Sequence, residues 1–247
     1  MRYLGGKVRL GKQISEVLKK KAPSDKVRGY IEPFCGALGV CRYMTDDYKC
    51  YVSDNHKDLI LFWKAIKAGT FKYPKSVSEQ TYNRFKRSNK PSAMRAFVGF
   101  GLSFGGMWFT GYAEKYNHNC ARRNTLRETT ESCKKKELSV RKIKSIRCIS
   151  YGKLKRPKEG GYLIYCDPPY QNTAGYKTKT KGTGEDFDHD KFWNIVREWS
   201  KNNIVIVSEF KAPKDFKCVW ESTRNISLDN NKSKNKNKVE RLFMIKK

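Results

Sequence analysis

With 247 residues, of which 38% are hydrophobic and 13% aromatic, the chain can build one large α/β domain, or one with an inserted lobe, and is not of the composition that stays disordered. Its 53 Lys and Arg stand against 24 Asp and Glu, a formal charge of +29 that calls for a polyanionic partner. No apolar run approaches the roughly 18 residues of a membrane span, and the eight cysteines include no CxxC pair, so a membrane and a metal are both expected to be absent.

The N-terminus has no signal-peptide core, and reduced thiols in the cytoplasm are expected. Tyr3-Leu4-Gly5-Gly6-Lys7 lacks the spacing of a Walker A loop. Gln13 to Lys21 reads as a helix with Ile14, Val17 and Leu18 on one face. Tyr30 to Val40 reads as a strand, a glycine turn at Gly36 and a helix; glycine there lets the backbone approach a ligand closely. Cys50 to Asp54 is a second strand ending in an acid. Asp54 follows Gly36 by 18 residues, close to the spacing at which an acid meets ribose hydroxyls in dinucleotide-type folds.

A helix is expected from Asp58 to Lys67, with Leu59, Phe62, Trp63 and Ile66 on one face. Residues 70–144 hold no strand series but helical segments such as Glu79–Arg87 and Ser92–Phe100. Leu102 to Tyr112 interleaves Phe104, Trp108, Phe109 and Tyr112 with glycines, which suits neither helix nor strand. It reads either as a loop that wedges into or stacks on nucleic acid, or as aromatic packing. Asn119 to Lys144 is basic and helical, with Arg122 and Arg123 placed either for phosphates or on a solvated face.

The sheet resumes at Ile146–Tyr151 and then at Tyr162-Leu163-Ile164-Tyr165-Cys166, which runs into Asp167-Pro168-Pro169-Tyr170. An apolar run without polar alternation reads as a buried parallel strand, and the prolines must end it. Asp167 and Tyr170 are then presented at a strand's carboxyl end, where open α/β sheets build their sites. The chemistry is that of a grip on a planar amine. The Asp167 carboxylate and the Pro168 carbonyl can accept both hydrogens of an exocyclic NH₂, while Tyr170 offers a stacking face. The plainer alternative is a strand-ending turn with a capping Asp. A long polar loop over 171–190 follows, then a helix over Phe192–Trp199 and a strand over Ile204–Ser208. Val219-Trp220 and Leu242–Ile245 predict a terminal hairpin. Between them lies a basic loop, Asn230 to Lys238, containing Lys234 and Lys236.

In this order the segments resemble the Dam-like (D12 class) DNA adenine-N6 methyltransferases of bacteria and phages. Tyr3 to Lys7 is similar to the family's N-terminal cofactor motif, Glu32-Pro33-Phe34-Cys35-Gly36 to its glycine motif, Asp54 to the acid after the second strand, and Asp167 to Tyr170 to the catalytic motif without change. Lys238 to Leu242 resembles its closing hairpin. The resemblance implies an α/β fold, a Rossmann-like S-adenosylmethionine-dependent methyltransferase sheet with an inserted, mainly helical DNA-recognition lobe. Residues 1–65 and 145–247 would form the catalytic domain and 66–144 the lobe. It implies S-adenosylmethionine as donor, held by Tyr3, Leu4, Gly5, Lys7, Glu32, Pro33, Phe34, Cys35, Gly36, Asp54 and Asp167, with Tyr151 beside its adenine. Asp167, Pro168, Pro169 and Tyr170 would act on an adenine flipped out of double-stranded DNA. Phe104, Trp108, Tyr112, Arg122, Arg123, Lys234 and Lys236 would meet the DNA. One departure is that Leu38 stands where the family often has glycine, with Gly39 following. The same turn could serve N4-cytosine or an RNA base, and an inactive DNA-binding protein could keep the fold. The target sequence and any protein partner, such as a restriction enzyme, are not written in the sequence.

Overall fold

A computed structural model describes residues 1–113, 124–170, 187–224 and 238–246. The apolar runs become strands β1 (Tyr30–Glu32), β2 (Cys50–Asp54), β3 (Ser145–Cys148), β4 (Leu163–Cys166), β5 (Ile204–Glu209), β6 (Phe216–Arg224) and β7 (Lys238–Ile245). Segments with helical periodicity become α1 (Gly11–Lys21), α2 (Lys57–Lys67), α3 (Glu79–Arg87), α4 (Ala93–Gly101), α5 (Thr125–Lys134), α6 (Glu137–Lys142) and α7 (His189–Ser200). The sheet order is β3-β2-β1-β4-β5-β7-β6. β2 pairs with β3, β1 with β4 and β4 with β5 in parallel, while β7 runs antiparallel to both β5 and β6. This is a Rossmann-like α/β sheet closed by the expected terminal hairpin.

The chain forms two compact units, Met1–Glu16 with Glu32–Lys153, and Val17–Ile31 with Leu154–Lys247. In the first, α2 turns Leu59, Phe62, Trp63 and Ile66 inward, as their spacing requires. His56 caps this helix, its Nδ1 accepting the Leu59 N–H. α4 lies against α2 through Phe97 and Phe62, with ring centroids 6.2 Å apart. A buried ion pair joins the same two helices, Arg95 to Asp58 at 3.0 Å. Residues 66–144 belong wholly to this first unit, and among the described residues they contain no strand, only an isolated bridge between Ser103 and Tyr112.

In the second unit every residue of β4 is buried. Its register runs from Leu163 opposite Ile204 to Cys166 opposite Val207, with Tyr30 of β1 opposite Leu163 on the other side. α7 is capped by Asp188, which accepts the Lys191 N–H at 2.9 Å, and buries Phe192, Trp193, Val196 and Trp199.

Two local expectations fail. No α-helix follows the glycine turn; turns and a single 3-10 turn at Cys41–Tyr43 stand there instead. Gly36 (φ 43°) and Leu38 (φ 55°) are both left-handed, which cannot open a right-handed helix. Tyr151 also begins a 3-10 turn, Tyr151–Lys153, rather than ending the strand, which stops at Cys148.

Candidate active site

The glycine turn of the first unit is built on the end of β2. Cys35 donates its N–H to the Ser53 carbonyl at 2.9 Å, which lays the turn beside the strand. Asp54, the last residue of that strand, is buried, and its two oxygens accept the N–H groups of Gly36 and His56, each at 3.0 Å. Burial pushes its carboxyl pKa up, and the N–H groups of His56, Gly36 and Asn55 pull against that shift. Asp54 is thus hydrogen-bonded directly to the glycine turn, a contact that the sequence reading, which set this acid against ribose hydroxyls, did not anticipate.

The N-terminal segment closes over this turn. A Cβ on Gly36 would come within 3.0 Å of the Tyr3 ring. Tyr3 packs on Phe100 at 4.8 Å, and the Leu4 N–H donates to the Gly106 carbonyl at 3.2 Å. Lys7 is buried, its Nζ donating to the Gly5 carbonyl at 3.3 Å. On the far side of the motif Phe34 meets Tyr151, with centroids 5.1 Å apart. Glu32 and Cys35 are buried, and burial raises the Cys35 thiol well above its usual value, so it is an inert packing group.

Beside the turn, His56 sits edge-on to Trp108 (4.3 Å) and Phe100 (4.9 Å), and burial lowers its pKa to about 4. Trp108 also lies under the Arg95 guanidinium, and Tyr112 donates its hydroxyl to the Val77 carbonyl at 2.6 Å. Phe104, in contrast, is 57% exposed. It sits on a turn whose Gly105 and Gly106 are left-handed (φ 64° and 70°). Arg122, Arg123, Lys234 and Lys236 lie outside the described residues.

In the second unit β4 stops at Cys166 and delivers Asp167 half-buried, Pro168 buried, and Pro169 and Tyr170 half-buried. The Tyr170 hydroxyl donates to Glu240 of β7, and Ser208 of β5 donates to the same carboxylate oxygen at 2.5 Å. The Tyr170 ring stands edge-on to Phe210 at 4.7 Å. Burial, with the charges of Asp167 and Glu240, drives its phenol pKa well upward, so it stays a neutral ring and donor. Sequence reasoning missed Glu240 and Ser208, and equally Trp63 and Lys136, which hold the glycine turn. Each acts across a long sequence separation that no local pattern reports.

With the glycine turn bound to an acid and the aromatic turn after β4, the fold and its loops define a Rossmann-like methyltransferase. Residues 3–96 and 109–236 match the family described as D12 class N6 adenine-specific DNA methyltransferase, and the chain belongs to that family. It is an adenine-specific DNA methyltransferase, an enzyme that needs a methyl donor and DNA. The Type II methyltransferase M.MjaIII of Methanocaldococcus jannaschii is 23% identical over 245 residues, which cover 87% of this chain and 85% of that protein. Among the described residues no cluster of His, Cys, Asp and Glu is placed to hold a metal, and no helix is long and apolar enough to cross a membrane.

Proposed function

We propose that the chain moves a methyl group from S-adenosylmethionine to N6 of an adenine flipped out of duplex DNA, with residues 1–65 and 145–247 as the catalytic part and 66–144 as the recognition lobe. The observation that carries this reading is the Asp-Pro-Pro-Tyr turn at the carboxyl end of buried β4, with its tyrosine ring fixed in advance by Glu240 and Phe210.

The chain's residues fit the donor. The buried Asp54 carboxylate, which already takes backbone N–H groups of Gly36, His56 and Asn55, is an acceptor suited to a ribose hydroxyl as a further donor. Phe34 and Tyr151 offer aromatic faces for an adenine ring. Glycine at position 36 lets the Tyr3 ring pack directly on the turn, where a Cβ would come within 3.0 Å of it. Tyr3, Leu4, Gly5, Lys7, Glu32, Pro33 and Cys35 complete this side of the site. When bound, S-adenosylmethionine supplies an electrophilic methyl group on a sulfonium.

The acceptor side belongs to the β4 turn. Lifting the adenine out of the duplex costs a few kcal/mol, and stacking on Tyr170 returns part of that. The Asp167 carboxylate and the Pro168 carbonyl accept the two N6 hydrogens, turning the nitrogen lone pair out of ring conjugation. As the N–C bond forms and the methyl–sulfur bond breaks, the donor leaving as a neutral thioether, positive charge grows on N6; the fixed negative charge of Asp167 stabilises it, and the extra N6 proton is then lost to water. Pro168 and Pro169 hold that geometry because their φ angles are locked. Phe104, exposed on its glycine turn, is suited to wedge between bases, and the excess of lysine and arginine to the phosphates. Arg122, Arg123, Lys234 and Lys236 are proposed among the phosphate contacts, and Trp108 and Tyr112 as the packed base of the Phe104 loop.

The test is incubation with S-adenosylmethionine and a random-sequence duplex library, followed by digestion to nucleosides and mass spectrometry. N6-methyladenine is expected. N4-methylcytosine, or no methylated base, would contradict the reading.

A further inference from the structure

Lys136 is fully buried, at 0% exposure, on the short link between α5 and α6. A charge placed there costs several kcal/mol unless it is bonded, so its partners matter. Its Nζ donates to the carbonyl of Ala37 at 2.5 Å and lies 5.7 Å from the Trp63 ring. The Trp63 indole N–H in turn donates to the carbonyl of Gly36 at 2.9 Å. Two successive carbonyl groups of the glycine turn are therefore held by two neighbouring side chains, one of them from 99 residues away.

The turn needs holding. Ala37 lies between two left-handed residues, Gly36 and Leu38, and only the first pays no steric cost there. A left-handed leucine is disfavoured and persists only where its surroundings over-determine it. Those surroundings include the Leu38 N–H bonded to the Cys35 carbonyl at 2.7 Å and the Lys136 bond on the adjoining peptide. The same peptide run presents the Gly36 N–H to Asp54. Loosening Ala37 would therefore disturb the acid on which the donor reading depends.

We propose that Lys136 is a positioning residue for the methyl-donor site: its ammonium, together with the Trp63 indole, fixes the left-handed glycine turn and through it the Gly36–Asp54 pairing. The proposal rests on the reading that this turn receives the donor. Burial, helped by the positive charge of Arg42 and opposed by Cys133 and Glu32, brings the Lys136 pKa down to about 8, and the Met1 amino group faces the same cluster. Below that value Lys136 is an ammonium and a strong donor to Ala37. Above it the neutral amine is a weaker one, so the turn loosens as pH rises.

Calorimetric titration of the whole protein with S-adenosylmethionine tests this, without turnover. Lys136→Met keeps the volume and removes the donor; it is expected to weaken donor affinity roughly 10-fold or more, while DNA affinity and the rate at saturating donor stay near normal. Wild-type affinity is expected to fall between pH 7 and pH 9, and the fall beyond any titration of the donor itself to vanish in Lys136→Met. Should that variant not fold, Trp63→Phe removes the neighbouring bond, and the wild-type profile stands alone. A flat wild-type profile to pH 9 would overturn the proposal. So would unchanged affinity in folded Lys136→Met when Asp54→Ala has lost it. Unchanged affinity in both variants would instead put the donor elsewhere, removing the reading of the turn and the role of Lys136 together.

Discussion

The hydroxyl of Tyr170 is hydrogen-bonded to the carboxylate of Glu240, 70 residues further along the chain, and that carboxylate also accepts from Ser208. The ring that is proposed to stack on the flipped base is thus tied at its far end to β7 and set edge-on to Phe210. A ring already fixed loses little freedom when a base arrives.

Glu240→Ala leaves a largely buried phenol without this acceptor and is expected to cost about 1–3 kcal/mol of stability. Tyr170→Phe keeps the stacking face and should cost less, with methylation slowed less than about 10-fold, whereas Tyr170→Ala loses the face and roughly 10- to 100-fold in capture of the base. The double variant Tyr170→Phe with Glu240→Ala should fall short of the sum of its parts, because the two share one bond. Denaturant unfolding with single-turnover methylation checks all three; full additivity would mean the bond contributes nothing.

The stability of the protein should depend on His56. Burial holds its pKa at about 4, below the ordinary 6.5, so the fold favours the neutral ring. A depressed histidine contributes stability that is complete above about 6.5 and is lost as pH falls toward 4, up to about 3 kcal/mol for the full shift. His56→Asn keeps a helix cap for α2 and removes the titration. Thermal melts from pH 7 to 4.5 should fall more steeply for the wild type than for the variant. Parallel curves would show that the ring does not titrate in this range.

These particulars show what could be read in advance. The run from Tyr162 to Cys166 was legible as a buried parallel strand because its residues are apolar without alternation, and the prolines after it fixed where it stops. α2 was legible from the spacing of Leu59, Phe62, Trp63 and Ile66, and α3 as a helical segment with the same bounds, while Asp54 was legible as the acid that ends β2. The helix expected after Gly36 was not there, because Leu38 adopts a conformation that its side chain disfavours and that only the folded surroundings impose. Lys136 read as one of the basic residues of a helical segment suited to phosphates or to a solvated face; it is buried instead, and its bond to Ala37 is a tertiary event. Glu240 read as a hairpin residue for the same reason.

Asp54 should couple donor binding to protons. Its carboxyl pKa is raised in the fold, so the protonated form is favoured relative to the unfolded chain, and the apoprotein is penalised as pH rises from the ordinary carboxylate range through that raised value. Ribose hydroxyls need the ionised acceptor, so donor affinity should weaken as pH falls through the same window, and binding there should release protons. Calorimetry in buffers of different ionisation heat reads that release. Asp54→Ala should abolish it and weaken the donor roughly 10- to 100-fold, as expected for lost charge-assisted bonds. Proton release that survives the substitution would assign it to another group.

The central claim is that Asp167 acts on the target nitrogen during methyl transfer, and one measurement addresses it: single-turnover transfer to an adenine-containing duplex by folded Asp167→Ala at saturating donor and DNA. A preorganised charge that matters most in the transition state predicts a rate lower by at least roughly 10²-fold, with DNA affinity retained. A near-normal rate would contradict the account, leaving the turn after β4 as no more than the end of a strand.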